Sequence, residues 1–319
     1  MALPDRSPRI LIVRRDNIGD LVCTTPLIDA LRARYPAGWI GALVNTYNSE
    51  VLARNPALDA VFAYEKTKHR SAGLLLTMFE TVKLMSRLRR EKVDYVLVPS
   101  ATPRSLRIAA SLRPKQVFAA DPAASPGKHE VERAFGLGEP LGITGKPGPM
   151  RIYPDPQAVS KMKTAVGEAP TGVHISARRP KQRWPAERYV ELVKELKSKG
   201  EVLLLWAPGP KDDPRHPGDD ETAKEIMAKS GCRGLPTPDL ATLIAALSLC
   251  ERVICPDGGA MHLAAALGKP IVALFGDSPP ERWHPWGVPH RVVRPASRNL
   301  ADLPVAEVLA ASAALADVA

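Results

Sequence analysis

Two stretches of this chain carry side chains whose types and spacing could do chemistry. The first is Pro256-Asp257-Gly258-Gly259-Ala260-Met261-His262, which runs on to Gly268, Pro270 and the apolar run 271–275. It reads as loop, helix, turn and buried strand. Asp257 is a good N-cap, and Gly258 and Gly259 follow it without side chains, so the free N–H groups and positive dipole end of the helix are open to an anion. His262 comes about one turn later and faces the same end, and Gly268 with Pro270 stops the helix. A capped crossover helix and a phosphate site both fit that local pattern. The second stretch places an apolar strand at 9–14, a polar turn Arg15-Asp16-Asn17-Ile18-Gly19-Asp20, and helical spacing over 21–33. Asp20 at such a turn is a carboxylate able either to cap the helix or to accept a proton.

Strand, turn and helix at each end of the chain, each with an Asp at the turn, predict two α/β domains whose ligands gather at the carboxyl ends of the strands. In the first half the apolar runs predict strands at 9–14, 39–44, 93–98 and 116–119, with helices over 20–35, 72–91, 103–112 and 129–137. In the second half they predict strands at 172–176, 201–206, 252–255 and 271–275. Helices are expected over 185–199, 219–230, 239–249 and 258–268, with an Ala-rich helix over 304–317. Gly142, Gly145, Pro147, Gly148 and Pro149 mark the interdomain boundary. Domains of 1–150 and 151–319 follow, and 151–153 reads as a strand that could join either. This alternation implies two parallel sheets covered by helices. A dinucleotide-binding dehydrogenase should carry G-x-G-x-x-G after its first strand, but the turn over 14–20 has only Gly19.

A net charge of +10 and a pI near 9.5 favour anionic partners: nucleic acid, an acidic lipid surface or a phosphorylated substrate. No basic helix with interleaved aromatics supports nucleic acid. Lys66, Lys68, Arg70, Lys83, Arg87, Arg89 and Arg90 form a basic segment that reads as a solvated helix face or as a contact for an acceptor or a membrane. Cys23, Cys232, Cys250 and Cys255 have no C-x-x-C spacing, which points to a reducing cytoplasm and away from a disulfide framework or zinc. No apolar run suggests a secretory signal, and none reaches the roughly 18–20 residues of a membrane span. The acidic stretch 212–221 with His216 is rich in Pro and Gly and reads as a loop before a metal site.

Residues 14–26 with their Gly19-Asp20 core, and residues 257–276 with Gly259, His262 and Leu274-Phe275-Gly276, resemble the two hallmark segments of the lipopolysaccharide heptosyltransferases. His129-Glu130-Val131-Glu132-Arg133 and Arg183-Trp184-Pro185 followed by Tyr189 are similar to family segments as well, and the resemblance runs from about residue 9 to about residue 310. It implies a GT-B fold, with two Rossmann-like domains facing a central cleft that closes over donor and acceptor. The first domain would bind the acceptor and the second the nucleotide sugar. It implies an inverting, metal-independent transfer of heptose from ADP-heptose to a lipopolysaccharide core acceptor. There would be no cofactor, and the enzyme would lie in the cytoplasm against the anionic inner membrane. Asp20 matches the family's base. Ser176, Lys181, Arg183, Asp219, Asp257, Gly258, Gly259, Ala260 and His262 match the donor site, and Arg15, Asn17 and Thr24 lie where the acceptor is expected. The chain departs from the family at Gln182, where a lysine is usual. Lys181 or one of Arg178, Arg179 and Arg183 would have to supply that charge. A non-catalytic sugar-nucleotide or lipid-binding relative of the same fold is the alternative.

Overall fold

The structure is a computed structural model that describes residues 7–64, 74–121, 127–211 and 217–316. It divides into two compact units, Met1–Tyr153 and Pro154–Ala319. Lys66, Lys68, Arg70 and His216 lie outside the described residues.

The first unit is built on a five-stranded sheet in the order β3-β2-β1-β4-β5, every pair parallel. Its strands are β1 (Arg9–Val13), β2 (Trp39–Asn45), β3 (Ala60–Tyr64), β4 (Tyr95–Val98) and β5 (Gln116–Ala119). The central runs RILIV and YVLV are apolar on both faces because helices cover both sides of a parallel sheet. The expected helix over 20–35 is two helices, α1 (Ile18–Val22) and α2 (Thr25–Arg34). Pro26 is the reason: its nitrogen cannot donate to the Val22 carbonyl, and its ring would clash with it in a continuous helix. The Thr25 hydroxyl donates to that carbonyl instead, at 2.8 Å. Further along come α3 (Leu74–Arg90), α4 (Pro103–Ser111) and α5 (Glu130–Gly136). The expected strand over 151–153 is not formed; the segment pairs with neither sheet.

The second unit carries a six-stranded parallel sheet in the order β11-β10-β9-β6-β7-β8. Its strands are β6 (Thr171–His174), β7 (Val202–Trp206), β8 (Arg233–Pro236), β9 (Arg252–Pro256), β10 (Ile271–Leu274) and β11 (His290–Val293). The helices are α6 (Pro156–Val166), α7 (Ala186–Lys197), α8 (Asp220–Ser230), α9 (Leu240–Leu249), α10 (Gly259–Ala266), α11 (Pro280–Trp283) and α12 (Val305–Ala316). Five elements escape the sequence reading: the edge strands β3, β8 (which contains Gly234 and Pro236) and β11, the four-residue helix α11, and α6, where Val166 alone is fully buried. In each sheet the chain reverses direction of growth at one place, between β1 and β4 and between β6 and β9. Loops leaving those strand ends diverge there and leave a crevice. The residues singled out above, at 14–20, 176–185 and 257–262, leave the carboxyl ends of β1, β6 and β9.

Helix α12 packs on β11, β10 and α7 of its own unit. It is anchored at its entry by Trp184, whose buried indole nitrogen donates to the Leu303 carbonyl at 3.0 Å while the ring meets Tyr189 edge-on at 4.9 Å. Trp184→Phe keeps the apolar contact and orphans the carbonyl. A loss of about 1–3 kcal/mol is expected in urea denaturation with an unchanged m-value.

Candidate active site

Val13 ends an apolar strand, and the next residue, Arg14, is 1% exposed. A guanidinium in that position must be neutralised locally or not form at all. Three carboxylates do it. Arg14 Nε donates to Asp16 Oδ1 at 2.9 Å, and Nη2 donates to Asp20 Oδ1 at 2.9 Å and to Glu130 Oε1 at 2.7 Å. Burial works against the Arg14 charge, but Asp16, Asp20 and Glu130 together outweigh it and hold the group above its ordinary value. Asp16 is held up at about 6, chiefly by burial and further by Asp20, with Arg14 opposing both. The second oxygen of Asp20 accepts from Asn17, from the backbone N–H at 3.3 Å and the side-chain amide at 2.9 Å. Asp20 therefore sits at the third position of α1 with both oxygens oriented, and Oδ1, which accepts only from Arg14, keeps a lone pair for a further donor.

Of the residues expected near an acceptor, Asn17 is the N-cap of α1 and exposed, so it both holds Asp20 and faces solvent. Thr24 is fully buried, and its hydroxyl donates to the Asp20 carbonyl at 3.0 Å, so it braces the break between α1 and α2. The Arg15 guanidinium lies 4.2 Å over the Tyr64 ring. Arg104 approaches the same ring at 4.9 Å and donates to the Tyr64 hydroxyl. Burial, then the nearby Arg104, push the Arg15 guanidinium down from its ordinary value. Tyr64 also lines a cavity of about 260 Å³ with Glu80, Lys83 and Arg87. Tyr64 and Arg104 have no local motif; only the sheet order β3-β2-β1-β4 assembles them with Arg15.

In the second unit α10 begins at Gly259 with Gly258 as its N-cap residue, and no side chain caps it. This corrects the expectation that Asp257 caps the helix. The Asp257 carboxylate is turned instead toward Gln182, whose side-chain amide donates to Asp257 Oδ2 at 2.7 Å and to Ser278 Oγ at 2.6 Å. All three residues are buried. Burial pushes the Asp257 carboxyl up, while Ser278 and the nearby Arg179 pull it down. Gln182 thus ties the loop after β6 to the loops after β9 and β10. Gly276 serves the same junction: a Cβ there would lie 2.1 Å from the Lys181 carbonyl oxygen. A Cβ at Gly258 would meet no protein atom within 4 Å, so the first turn of α10 is open beside its backbone. His262 is buried in that helix with Trp283 edge-on at 5.9 Å, and Ala260 is buried beside it. The helix ends as expected: Gly268 takes a φ of 76°, Gly268 donates to Ala265 and Lys269 donates to Ala264.

The cations of the loop after β6 divide into two kinds. Arg183 is committed: it pairs with Asp219 at 2.7 Å and donates to the Pro217 carbonyl. Arg178, Arg179 and Lys181 are exposed and make no ion pair among the described residues. Ser176 accepts the Ala207 N–H at 2.8 Å and joins the ends of β6 and β7. Asp219 is 3% exposed, and its Oδ2 has no hydrogen-bond partner among the described residues. With Arg183 it lines a cavity of about 350 Å³ that also touches Ile175 and Thr222. A buried carboxylate oxygen left unpaired is an acceptor waiting for a donor such as a hydroxyl. Among the described residues no group of three His, Cys, Asp or Glu side chains could hold a metal ion, the four cysteines are free and buried, and no helix is long and apolar enough to cross a membrane.

Comparison with known proteins agrees with this geometry. The sequence profile of glycosyltransferase family 9 (heptosyltransferase) matches residues 108–307. Lipopolysaccharide heptosyltransferase 2 of Escherichia coli (strain K12) is 26% identical over 325 residues, which cover 90% of this chain and 88% of that protein. Among solved structures, the glycosyl transferase family 9 protein from Veillonella parvula DSM 2008 superposes with a TM-score of 0.82 at 19% identity, covering 98% of each chain. The structure of the E. coli ADP-heptose lps heptosyltransferase II gives a TM-score of 0.78 at 23% identity, covering 98% of this chain and 100% of that one. These likenesses show the fold: two Rossmann-like units with parallel sheets, of the GT-B class.

His174, at the end of β6, supplies a test of the buried surroundings of this crevice. Burial pushes its imidazole down to about 4 from an ordinary 6.5. Between those values only the unfolded chain takes up the proton, so stability falls as pH drops from 6.5 toward 4, by at most about 1.4 kcal/mol per pH unit. Denaturation across this range should show a shallower pH dependence for His174→Asn than for the wild type.

Proposed function

The chain belongs to glycosyltransferase family 9, and from that premise we propose that it transfers heptose from ADP-heptose to a lipopolysaccharide core acceptor with inversion, without a metal. Enzymatic glycosyl transfer follows from the family; the donor, the acceptor and the metal independence are our reading. The observation that carries it is Asp20, a half-buried carboxylate at the carboxyl end of β1, oriented through both oxygens and still able to accept a proton.

Inversion is a single displacement at the anomeric carbon. The acceptor hydroxyl attacks, Asp20 takes its proton, and the bond to the diphosphate breaks with the electron pair leaving on the phosphate oxygen. The first unit would then receive the acceptor, with the Arg15, Tyr64 and Arg104 cluster facing its anionic groups. The second unit would hold the donor. The open first turn of α10 at Gly258 and Gly259 offers backbone N–H groups to the diphosphate. Arg178, Arg179 and Lys181 would add the positive charge that a neutral Gln182 does not. Asp219 Oδ2, without a hydrogen-bond partner among the described residues, would accept a hydroxyl of the nucleoside ribose. Basic residues on α3, including Lys83, Arg87, Arg89 and Arg90, suit peripheral contact with an anionic inner-membrane face. The non-catalytic alternative rests on Gln182 alone. That residue is accounted for by its bridge between Asp257 and Ser278.

Two measurements test this reading. Calorimetry with a chelator present should show ADP binding in preference to UDP, GDP and NAD; preference for UDP or GDP would move the donor assignment. Asp20→Asn should lower transfer from ADP-heptose about 10²–10⁴-fold while ADP affinity stays within a factor of two or so. Full transfer by that variant would refute the assignment of the base.

A further inference from the structure

The roles assigned above leave Glu130 unused. It opens α5, is 3% exposed, and places Oε1 2.7 Å from Arg14 Nη2. That same nitrogen donates to Asp20 Oδ1 at 2.9 Å. A carboxylate 116 residues from Arg14 in sequence is thus linked to the turn after β1 through one guanidinium nitrogen. The helix start that carries Glu130 is itself fixed. His129 accepts the Val131 N–H on Nδ1, and the Glu132 carboxylate accepts the His129 N–H.

Among the described residues, the charged and titratable groups around Asp20 come from β1, its turn and α5. Arg14 reaches it from the end of β1, and Asp16 lies in the turn on the other edge of the same guanidinium. Glu130 stands behind Arg14 from α5, with Arg133 Nε 3.6 Å from its second oxygen. The buried Cys23 thiol lies within the field of all four groups, pushed up chiefly by its burial. Three carboxylates therefore surround the buried Arg14 charge, and Arg133 faces only the far oxygen of Glu130. A guanidinium already neutralised by one carboxylate stabilises a second one less. Were Asp20 to hold Arg14 alone, at a helix N-terminus, its carboxylate would be a weaker proton acceptor. A base must instead be both fixed and basic.

We propose that Glu130 is a positioning residue of the transferase: acting through Arg14, it fixes the orientation of the Asp20 carboxylate and preserves its affinity for the acceptor proton. The inference rests on Asp20 being the base. Glu130→Gln keeps the shape and an oxygen for Arg14 but removes the charge, so more of the guanidinium charge falls on Asp20. In the pH profile of kcat the acid limb should move down by about one unit, with the plateau reduced on the order of threefold and KM for ADP-heptose unchanged. Glu130→Asp keeps the charge and should restore the wild-type position of the limb. A purely structural role would lower kcat at every pH without moving the limb, and that result would overturn the inference.

A second readout needs no turnover. Carboxyl-carbon NMR titration, with the Asp20 signal assigned through Asp20→Asn, should show Asp20 titrating at lower pH in Glu130→Gln than in the wild type. An unmoved titration overturns the coupling, and the same spectra report whether the variant is folded. A moved titration together with full transfer by Asp20→Asn would leave the coupling standing and remove the base, so the two failures are told apart.

Discussion

Burying a guanidinium at the end of an apolar strand is the constraint around which the first unit is arranged. Removing such a charge from water costs several kcal/mol, and only well-directed carboxylates return it. Arg14 obtains three, from the turn that follows it, from α1 and from α5. The turn after β1 therefore cannot relax independently of α5, and Asp20 is held at a defined angle on the rim of the sheet. The two further bonds from Asn17 complete that orientation. The order β3-β2-β1-β4-β5 makes β1 central, and its carboxyl end lies next to the point where the order reverses. Fold and charge compensation thus place the same carboxylate at the same spot for separate reasons.

The second unit uses a neutral version of the same principle. There the loops leaving β6, β9 and β10 are joined by Gln182 between Asp257 and Ser278, and by the close approach of Gly276 to the Lys181 carbonyl. An amide can donate two hydrogen bonds and carries no charge to desolvate, so it braces a buried carboxylate without adding a cation. The consequence is a division in the loop after β6: Gln182 and Arg183 are hydrogen-bonded within the unit, while Arg178, Arg179 and Lys181 remain exposed. A helix start with no side-chain cap complements them, since its N–H groups are left for an anion.

Much of this was legible in the residues alone. Parallel α/β architecture followed from apolar runs of strand length alternating with helical spacing, because burial on both faces of a sheet leaves that imprint. The ends of β1, β6 and β9, and the position of Asp20, Gly258, Gly259 and His262 beside them, followed from turn chemistry and from the family resemblance. Weakly buried elements did not show. Strand β8 has Gly and Pro at an edge, and α6 fully buries only Val166 while Val159 and Met162 stay half-buried. The break at Pro26 was written in the sequence but outweighed by the helical spacing on either side of it.

What the sequence by itself determined is the set of local conformations and the chemical inventory: which segments bury both faces, which turns expose a helix end, and where carboxylates and cations are available. Tertiary structure decided who meets whom. Asp257 looks like an N-cap until the loop after β6 brings Gln182 to its carboxylate. Glu130 looks like an ordinary first-turn acid until α5 is set beside Arg14. Hydrogen bonds to a helix end act over three or four residues and can be read from spacing. A pairing across 75 or 116 residues depends on the order of strands in a sheet, and single-chain periodicity carries no record of that order.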